Sequence, residues 1–261
     1  MRFAAVSDIH GNLPALEAVL ADIAREGVDA TVNLGDIVSG PLWPAETADL
    51  LMALDLPTLA GNHERQVLTQ RPDEMGASDR HTHDQLQPRH RDWLASLPAT
   101  LRWREDVLLC HGTPTSDLHY WLETVTSDYA PERSPGVRAA TPNEVQARLG
   151  DALHEVAHAL ILCGHTHVPR SEQVDGRWIV NPGSVGLQAY SDDHPHTHII
   201  ETGSPQARYA LLTRQPAGWR IELRGVDYDF EAAAKQAERK QRPDWAHALR
   251  TGRVSAAHCQ P

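Results

Sequence analysis

The segment Met1-Arg2-Phe3-Ala4-Ala5-Val6-Ser7-Asp8-Ile9-His10-Gly11 decides how the rest of the chain is read. Phe3 to Val6 is a short apolar run that stops at Ser-Asp, the pattern of a buried parallel strand entering a polar loop. A helical pattern follows at once, because Leu13, Leu16, Val19, Leu20 and Ile23 recur three or four apart. Asn12 suits an N-cap, Pro14 the first turn and Gly27 the position just past the end. Ala30 to Leu34 reads as a second strand. Leu50, Leu51 and Leu54 belong to a second helix, and Leu56 to Ala60 to a third strand. This βαβαβ start predicts an α/β protein with a right-handed parallel arrangement.

Further along, Trp93 to Leu97 reads as a helix end, and Leu101 to Trp103 and Val107 to Cys110 as strands. Residues 113–140 hold three prolines without a clear period and are expected to form a lid or substrate loop. A helix is predicted over Asn143 to Ala157, with a break near Gly150, and a buried strand over Ala159 to Cys163. The C-terminal third changes style. Trp178 to Asn181, Ile199 to Thr202, Ala207 to Thr213 and Trp219 to Arg224 are short runs separated by turns, as in antiparallel strands. Asp229 to Arg239 is strongly helical, within a helical extension over residues 225–255. With no internal repeat or low-complexity linker, one domain over residues 1–261 is expected, built on a mixed sheet or two packed sheets.

Composition narrows the function. The chain has 24 Lys+Arg against 35 Asp+Glu, a net charge of −11, and 16 His. Such a balance disfavours duplex nucleic acid, whose affinity comes largely from neutralised phosphates, and suits a protein that binds cations. No window nears 18 consecutive apolar residues, so no membrane span is expected. The apolar run before Asp8 is too short for a signal-peptide core. Cys110, Cys163 and Cys259 cannot all pair, and their spacing fits no zinc motif, so a reducing cytoplasm is the expected compartment.

The chemistry-bearing residues fall at the ends of predicted strands. They are Asp8 and His10, Asp36, Asn62 with His63, His111, and His165 with His167. Ligands in open α/β sheets bind beyond the carboxyl ends of strands, so five loops should deliver these groups to one edge. In an extended chain the i, i+2 pairs Asp8-x-His10 and His165-x-His167 would share a face. Flanking glycines permit tight turns. Two adjacent cations need a bridging carboxylate, and Asp36 is the natural candidate. A His/Asp/Asn set without thiolate favours Mn²⁺, Fe, Ni²⁺ or Zn²⁺ over an all-oxygen Ca²⁺ or Mg²⁺ site.

Asp8-x-His10, Gly35-Asp36, Gly61-Asn62-His63-Glu64, His111-Gly112 and Gly164-His165-x-His167 resemble, in order and context, the motifs of calcineurin-like metallophosphoesterases. The resemblance runs from about residue 3 to 185 and includes Asn181-Pro182-Gly183-Ser184-Val185 of the small bacterial and archaeal members. It implies a four-layer α/β-β/α sandwich of two mixed β-sheets and two divalent metal ions, with Mn²⁺ the first expectation. By this resemblance Asp8, His10 and His167 hold one metal, Asn62, His111 and His165 the other, and Asp36 bridges them together with a hydroxide that attacks phosphorus. His63 would be no ligand but a general acid or stabiliser at the phosphate.

The implied activity is hydrolysis of a small, nucleotide-like phosphomonoester or phosphodiester. The rivals are a dinucleoside polyphosphate hydrolase, a protein phosphatase and a non-catalytic metal-bound scaffold. A homo-oligomer is compatible with the sequence. His119, Tyr120 and Trp121 follow a ligand strand and are candidates to line the pocket and stack on a base. Arg133 and Arg138 are candidates for a distal phosphate. Glu64 reads as a supporting hydrogen-bond acceptor. His81 and His83, and His194, His196 and His198, read as solvated loops, and the i, i+4 pair His154 and His158 as helix surface. The C-terminal helix reads as a packing element.

Overall fold

A computed structural model describes residues 1–149 and 160–255. In chain order the elements are β1 (Arg2–Val6), α1 (Leu13–Glu26), β2 (Ala30–Asn33), α2 (Pro44–Leu54), α3 (Asn62–Thr69), α4 (Ala77–Gln85), α5 (Pro88–Ser96), β3 (Thr100–Arg104), β4 (Val107–Cys110), β5 (Glu123–Val125), β6 (Val137–Ala139) and α6 (Pro142–Ala147). They continue as β7 (Leu160–Leu162), β8 (Arg170–Val174), β9 (Arg177–Asn181), β10 (Ala189–Asp192), β11 (His198–Glu201), β12 (Ala207–Gln215), β13 (Gly218–Val226), α7 (Phe230–Arg239) and α8 (Pro243–Thr251).

One sheet has the order β13-β12-β1-β2 and the other β3-β4-β7-β9-β8. Both are mixed. β1 runs parallel to β2 and antiparallel to β12, while β4, β7 and β9 are parallel and flanked by antiparallel β3 and β8. The period-two alternation of the strands assigns the layers. Ala4 and Val6 of β1 face α1 with Leu16, Val19 and Ile23. Phe3 and Ala5 turn the other way, onto Val107, Leu109, Leu160 and Leu162 of the second sheet. The next positions, Leu108, Cys110, Ile161 and Cys163, form the outer face of that sheet and pack on Trp121, Leu122 and Val145. Helix, sheet, sheet and helix therefore stack as four layers, with one apolar core between the sheets and another between the first sheet and the helices that cover it.

Several expectations change. Leu56 to Ala60 is not a strand: Thr58 makes a single parallel bridge to Asn33. Pro57 has no N–H to donate, which stops a ladder from growing there. Residues 113–140 are not all loop, because β5 and β6 pair as a hairpin. His81 and His83 lie on α4, not in a loop. His198 is fully buried in β11. Of the helix predicted over Asn143–Ala157, the first part is α6, which ends at Ala147; the part from Gly150 on, the His154–His158 pair and Cys259 lie outside the described residues. The Asp229 prediction holds, with the Asp229 side chain capping α7 through Ala232 N–H at 2.9 Å. No helix among the described residues is long and apolar enough to cross a membrane.

Candidate metal centre

The loops after β1, β2, β4 and β7, with the start of α3, meet at one edge of the sandwich. Backbone hydrogen bonds join them: Asp8 N–H to Gly35 O and His10 N–H to Asp36 O, each 3.0 Å, and Gly164 N–H to His111 O at 2.7 Å. Asp8, His10, Asp36, His165 and His167 all adopt positive φ, between 52° and 69°. The i, i+2 pairs are thus not extended, contrary to the expectation from sequence. They sit in left-handed turns, and these turns aim both side chains of each pair inward. Non-glycine residues there carry strain of order 1–3 kcal/mol each, which persists only where surroundings fix the conformation. Here Ser184 Oγ–H binds Asp8 O at 2.7 Å, and Asn181 Nδ2 binds Gly164 O at 2.8 Å. Gly61 is required for a separate reason: a Cβ there would lie 2.2 Å from Asp36 Oδ1.

Two ligand-like clusters result, Asp8–His10–His167 and Asp36–His111–His165, each with its candidate atoms within 4.8 Å of one another. Asn62 joins the second, its Oδ1 3.2 Å from His111 Nε2. His111 Nε2 is also 3.1 Å from Asp36 Oδ2 and 4.0 Å from Asp8 Oδ1, which places the two clusters side by side.

The donor set fits metal ions. His10, His111 and His167 each donate Nδ1–H to a backbone carbonyl, of Ser39, Leu34 and Leu187, at 2.7, 2.8 and 2.7 Å. A carbonyl can only accept, so each neutral ring must present an Nε2 lone pair to the site. His165 does the reverse, giving Nε2–H to Leu118 O at 3.1 Å and turning Nδ1 inward. His10 Nε2 and His167 Nε2 face each other at 3.1 Å. Two lone pairs at that separation repel, and a shared cation removes the conflict.

Electrostatics point the same way. Burial lowers the pKa of His10 to about 4 and of His165 to about 3, and holds His167 well below its usual value, so these rings are neutral and able to act as ligands. Burial opposes charge on His111 as well, but the Asp36 and Asp8 carboxylates outweigh it and raise it to about 10. A proton there meets the demand for positive charge beside Asp36. Burial pushes Asp8 up to about 7 against the pull of His111. Asp36 is held well below the carboxylate range, since His111 and His63 overcome the burial cost.

His63 stands at the cleft beside these clusters, with its ring 5.5 Å from that of His10. Its Nδ1 is 2.8 Å from Asp79 Oδ1, an α4 residue that also accepts from Ser39 Oγ at 2.6 Å. Burial favours the neutral ring, but Asp36 and Asp79 reverse this and lift His63 to about 9. Ser39 therefore connects His63, through Asp79, to His10, which its carbonyl holds. Glu64 accepts backbone N–H groups of Asp36, Ile37 and Gly61 at 2.9, 2.8 and 2.8 Å.

The cleft has a volume of about 630 Å³. Tyr120 lines it, with its hydroxyl 2.6 Å from Tyr190 Oη and 2.9 Å from His198 Nε2. The other two predicted contacts fall elsewhere. His119 is exposed and outside the lining, because the chain turns its side chain to solvent. Trp121 is 1 % exposed in the outer core and donates Nε1–H to Val145 O, so it serves packing. Arg138 is tied to Glu144 away from the cleft, and Arg133 does not line it. The C-terminal segment is more than a packing element, since Arg242 and Trp245 form part of the cleft wall. Asp79, Tyr190 and Trp245 carried no motif in the sequence, being brought in by helix and hairpin packing.

Residues 1–204 match the profile described as Calcineurin-like phosphoesterase superfamily domain. A protein of Methanocaldococcus jannaschii described as uncharacterized is 26% identical over 258 residues, covering 93% of this chain and 94% of its own length. The phosphodiesterase YfcE of Escherichia coli is 28% identical over 203 residues, covering 72% of this chain and 80% of its own. The crystal structure of a metallophosphoesterase from Sphaerobacter thermophilus superposes with a TM-score of 0.71 at 28% identity, covering 97% of this chain and 99% of that one. From the extent of the profile match, the chain belongs to the calcineurin-like phosphoesterase superfamily.

Proposed function

We propose that this phosphoesterase hydrolyses a small, nucleotide-like phosphoester with the help of two divalent cations, Mn²⁺ foremost, with Fe, Ni²⁺ or Zn²⁺ as substitutes. The supporting observation is the convergence of Asp and His side chains from the loops after β1, β2, β4 and β7, with Asn62 at the start of α3, onto two adjacent clusters. Asp8, His10 and His167 would hold one cation, Asn62, His111 and His165 the other, and Asp36 would serve both. Bound there, the cations would activate water and neutralise phosphoryl oxygens.

The chain's own residues supply the remainder. His63 shares its Nδ1 proton with Asp79, which leaves Nε2–H of the imidazolium to protonate the leaving oxygen. Tyr120, Tyr190 and Trp245 give the cleft aromatic walls, and its volume falls in the range of small-molecule sites. The protein alone should be inert towards p-nitrophenyl phosphate and its bis ester after EDTA treatment, and active once Mn²⁺ is restored. Turnover that survives EDTA, with no metal detected by elemental analysis, would sink the dinuclear reading.

A second expectation isolates His63. His63→Ala should lose about 10²-fold on an alkyl phosphoester, whose leaving group needs a proton, and much less on a p-nitrophenyl ester. Metal content should stay unchanged. Equal losses on both esters, or a collapse of bound metal, would contradict the role of acid.

A further inference from the structure

We infer that the cleft carries a second anion-binding position, built on Arg242 beside the metal clusters, and that the substrate bears a second phosphate or carboxylate away from the scissile ester. This rests on the phosphoesterase reading for the position of the first phosphate. Arg242 is the one Lys or Arg that lines the cleft among the described residues. It precedes α8, is partly exposed at 22 %, and is fixed rather than mobile. Its Nε and Nη2 donate to Asp244, at 2.9 and 2.6 Å, and Nη1 donates to Ser78 Oγ at 2.9 Å.

A guanidinium has five N–H donors in a planar fork. Asp244 and Ser78 take three, so each terminal nitrogen keeps one. Ser78 also lines the cleft, and its hydroxyl accepts from Arg242 while its own proton stays free to donate. Gln66 adds an amide from α3: its Oε1 is occupied by Asn62 Nδ2 at 3.2 Å, which leaves its Nε2 as a donor at the cleft. Beyond the bonds used internally, Arg242, Ser78 and Gln66 each bring a donor to the cleft lining, which suits a planar or tetrahedral oxyanion, while the Asp244 carboxylate in the same lining accepts from Arg242. Of the other acidic lining residues, Asp36 belongs to the second cluster and Asp192 sits within electrostatic reach of Tyr120 and Tyr190.

The reach is short. The Trp245 ring centroid is 5.9 Å from that of His10 and 5.6 Å from the Arg242 guanidinium carbon. The Arg242 guanidinium carbon therefore lies no farther from the His10 ring than about those two contacts placed end to end, and an anion on it one hydrogen bond away. A molecule with two anionic groups a few bonds apart spans it. Ser78 also adjoins Asp79, so the first turn of α4 serves both the second anion and His63.

The test uses non-hydrolysable probes. Alkane-α,ω-bisphosphonates from propane to hexane, and propylphosphonate, are titrated calorimetrically into the Mn²⁺-loaded protein. At least one bisphosphonate should bind ten-fold tighter than propylphosphonate. In Arg242→Gln that ratio should fall to near one, and in Ser78→Ala it should fall part-way. Circular dichroism melts establish that each variant is folded, and should Arg242→Gln prove unfolded, Ser78→Ala alone decides by whether it lowers the ratio. No advantage at any chain length, or an advantage kept intact in a folded variant, would overturn the proposal. Because binding is read directly, a protein that binds bisphosphonates through Arg242 yet hydrolyses no phosphoester would refute the catalytic reading and spare this one.

Discussion

Asp36→Asn should lower turnover of p-nitrophenyl phosphate by about 10⁴-fold while leaving the fold intact. The substitution keeps size and shape, so the new amide oxygen can still accept the His63 backbone N–H that now binds Asp36 Oδ1 at 3.0 Å. What is lost is a negative charge at the junction of the two clusters, 3.1 Å from His111 Nε2. In the proposed arrangement that charge holds two mutually repelling dications, roughly 3.5–4 Å apart in sites of this kind. Losing one of them removes several kcal/mol of transition-state charge stabilisation, and each 1.36 kcal/mol is a factor of ten. Elemental analysis should find the bound metal reduced in the variant. Near-normal turnover, or a full metal complement with no loss of rate, would remove Asp36 from the centre of the mechanism.

The legible part of the site and the illegible part differ in physical origin. Most candidate ligands are readable because Asp8, His10, Asp36, His111, His165 and His167 follow buried strands, and a hydrophobic run followed by Asp or His with glycine beside it is a local pattern; Asn62 opens α3 after a segment that is no strand. Local pattern could not give the backbone of those loops. Asp8, His10, Asp36, His165 and His167 occupy left-handed conformations, which are uncommon outside glycine even though Asp and His enter them more readily than most residues. They are imposed by contacts far away in sequence, such as Ser184 on Asp8. The third strand failed because Pro57 interrupts a run that is otherwise apolar enough to pair.

The cleft's walls were harder still. Trp121 resembles a stacking residue in sequence, but the outer core claims it; Tyr120, its neighbour, turns to the cleft. Tyr190, Asp79, Arg242 and Trp245 come from a hairpin and helices whose docking is purely tertiary. His198 looked like one of several histidines around Pro195, and only its burial against Tyr120 separates it from them. Candidate ligands leave marks in a single sequence because strand ends are local, whereas the walls of the cleft leave few.

Glu64→Ala should be the most destabilising single change near the site. The Glu64 carboxylate is fully buried and accepts three backbone N–H groups, from Asp36, Ile37 and Gly61. Those groups belong to two different loops, after β2 and before α3, so the side chain is the clasp between them. Alanine leaves all three donors without a partner in a space closed to water. At about 1–2 kcal/mol for each orphaned donor, the loss is about 3–6 kcal/mol. For a chain of this size that lowers the melting temperature by about 10–20 °C. Glu64→Gln should be milder. Its amide oxygen can still serve Asp36 and Gly61, while its NH₂ is set against the Ile37 N–H. The expected order of melting temperatures is wild type, then Gln, then Ala. Turnover should fall in the same order, since Asp36 depends on this clasp to keep its left-handed turn. If Glu64→Ala melts within a few degrees of wild type, the two loops hold their geometry by other contacts. The strain at Asp36 would then have to be offset by the strand-end hydrogen bonds alone.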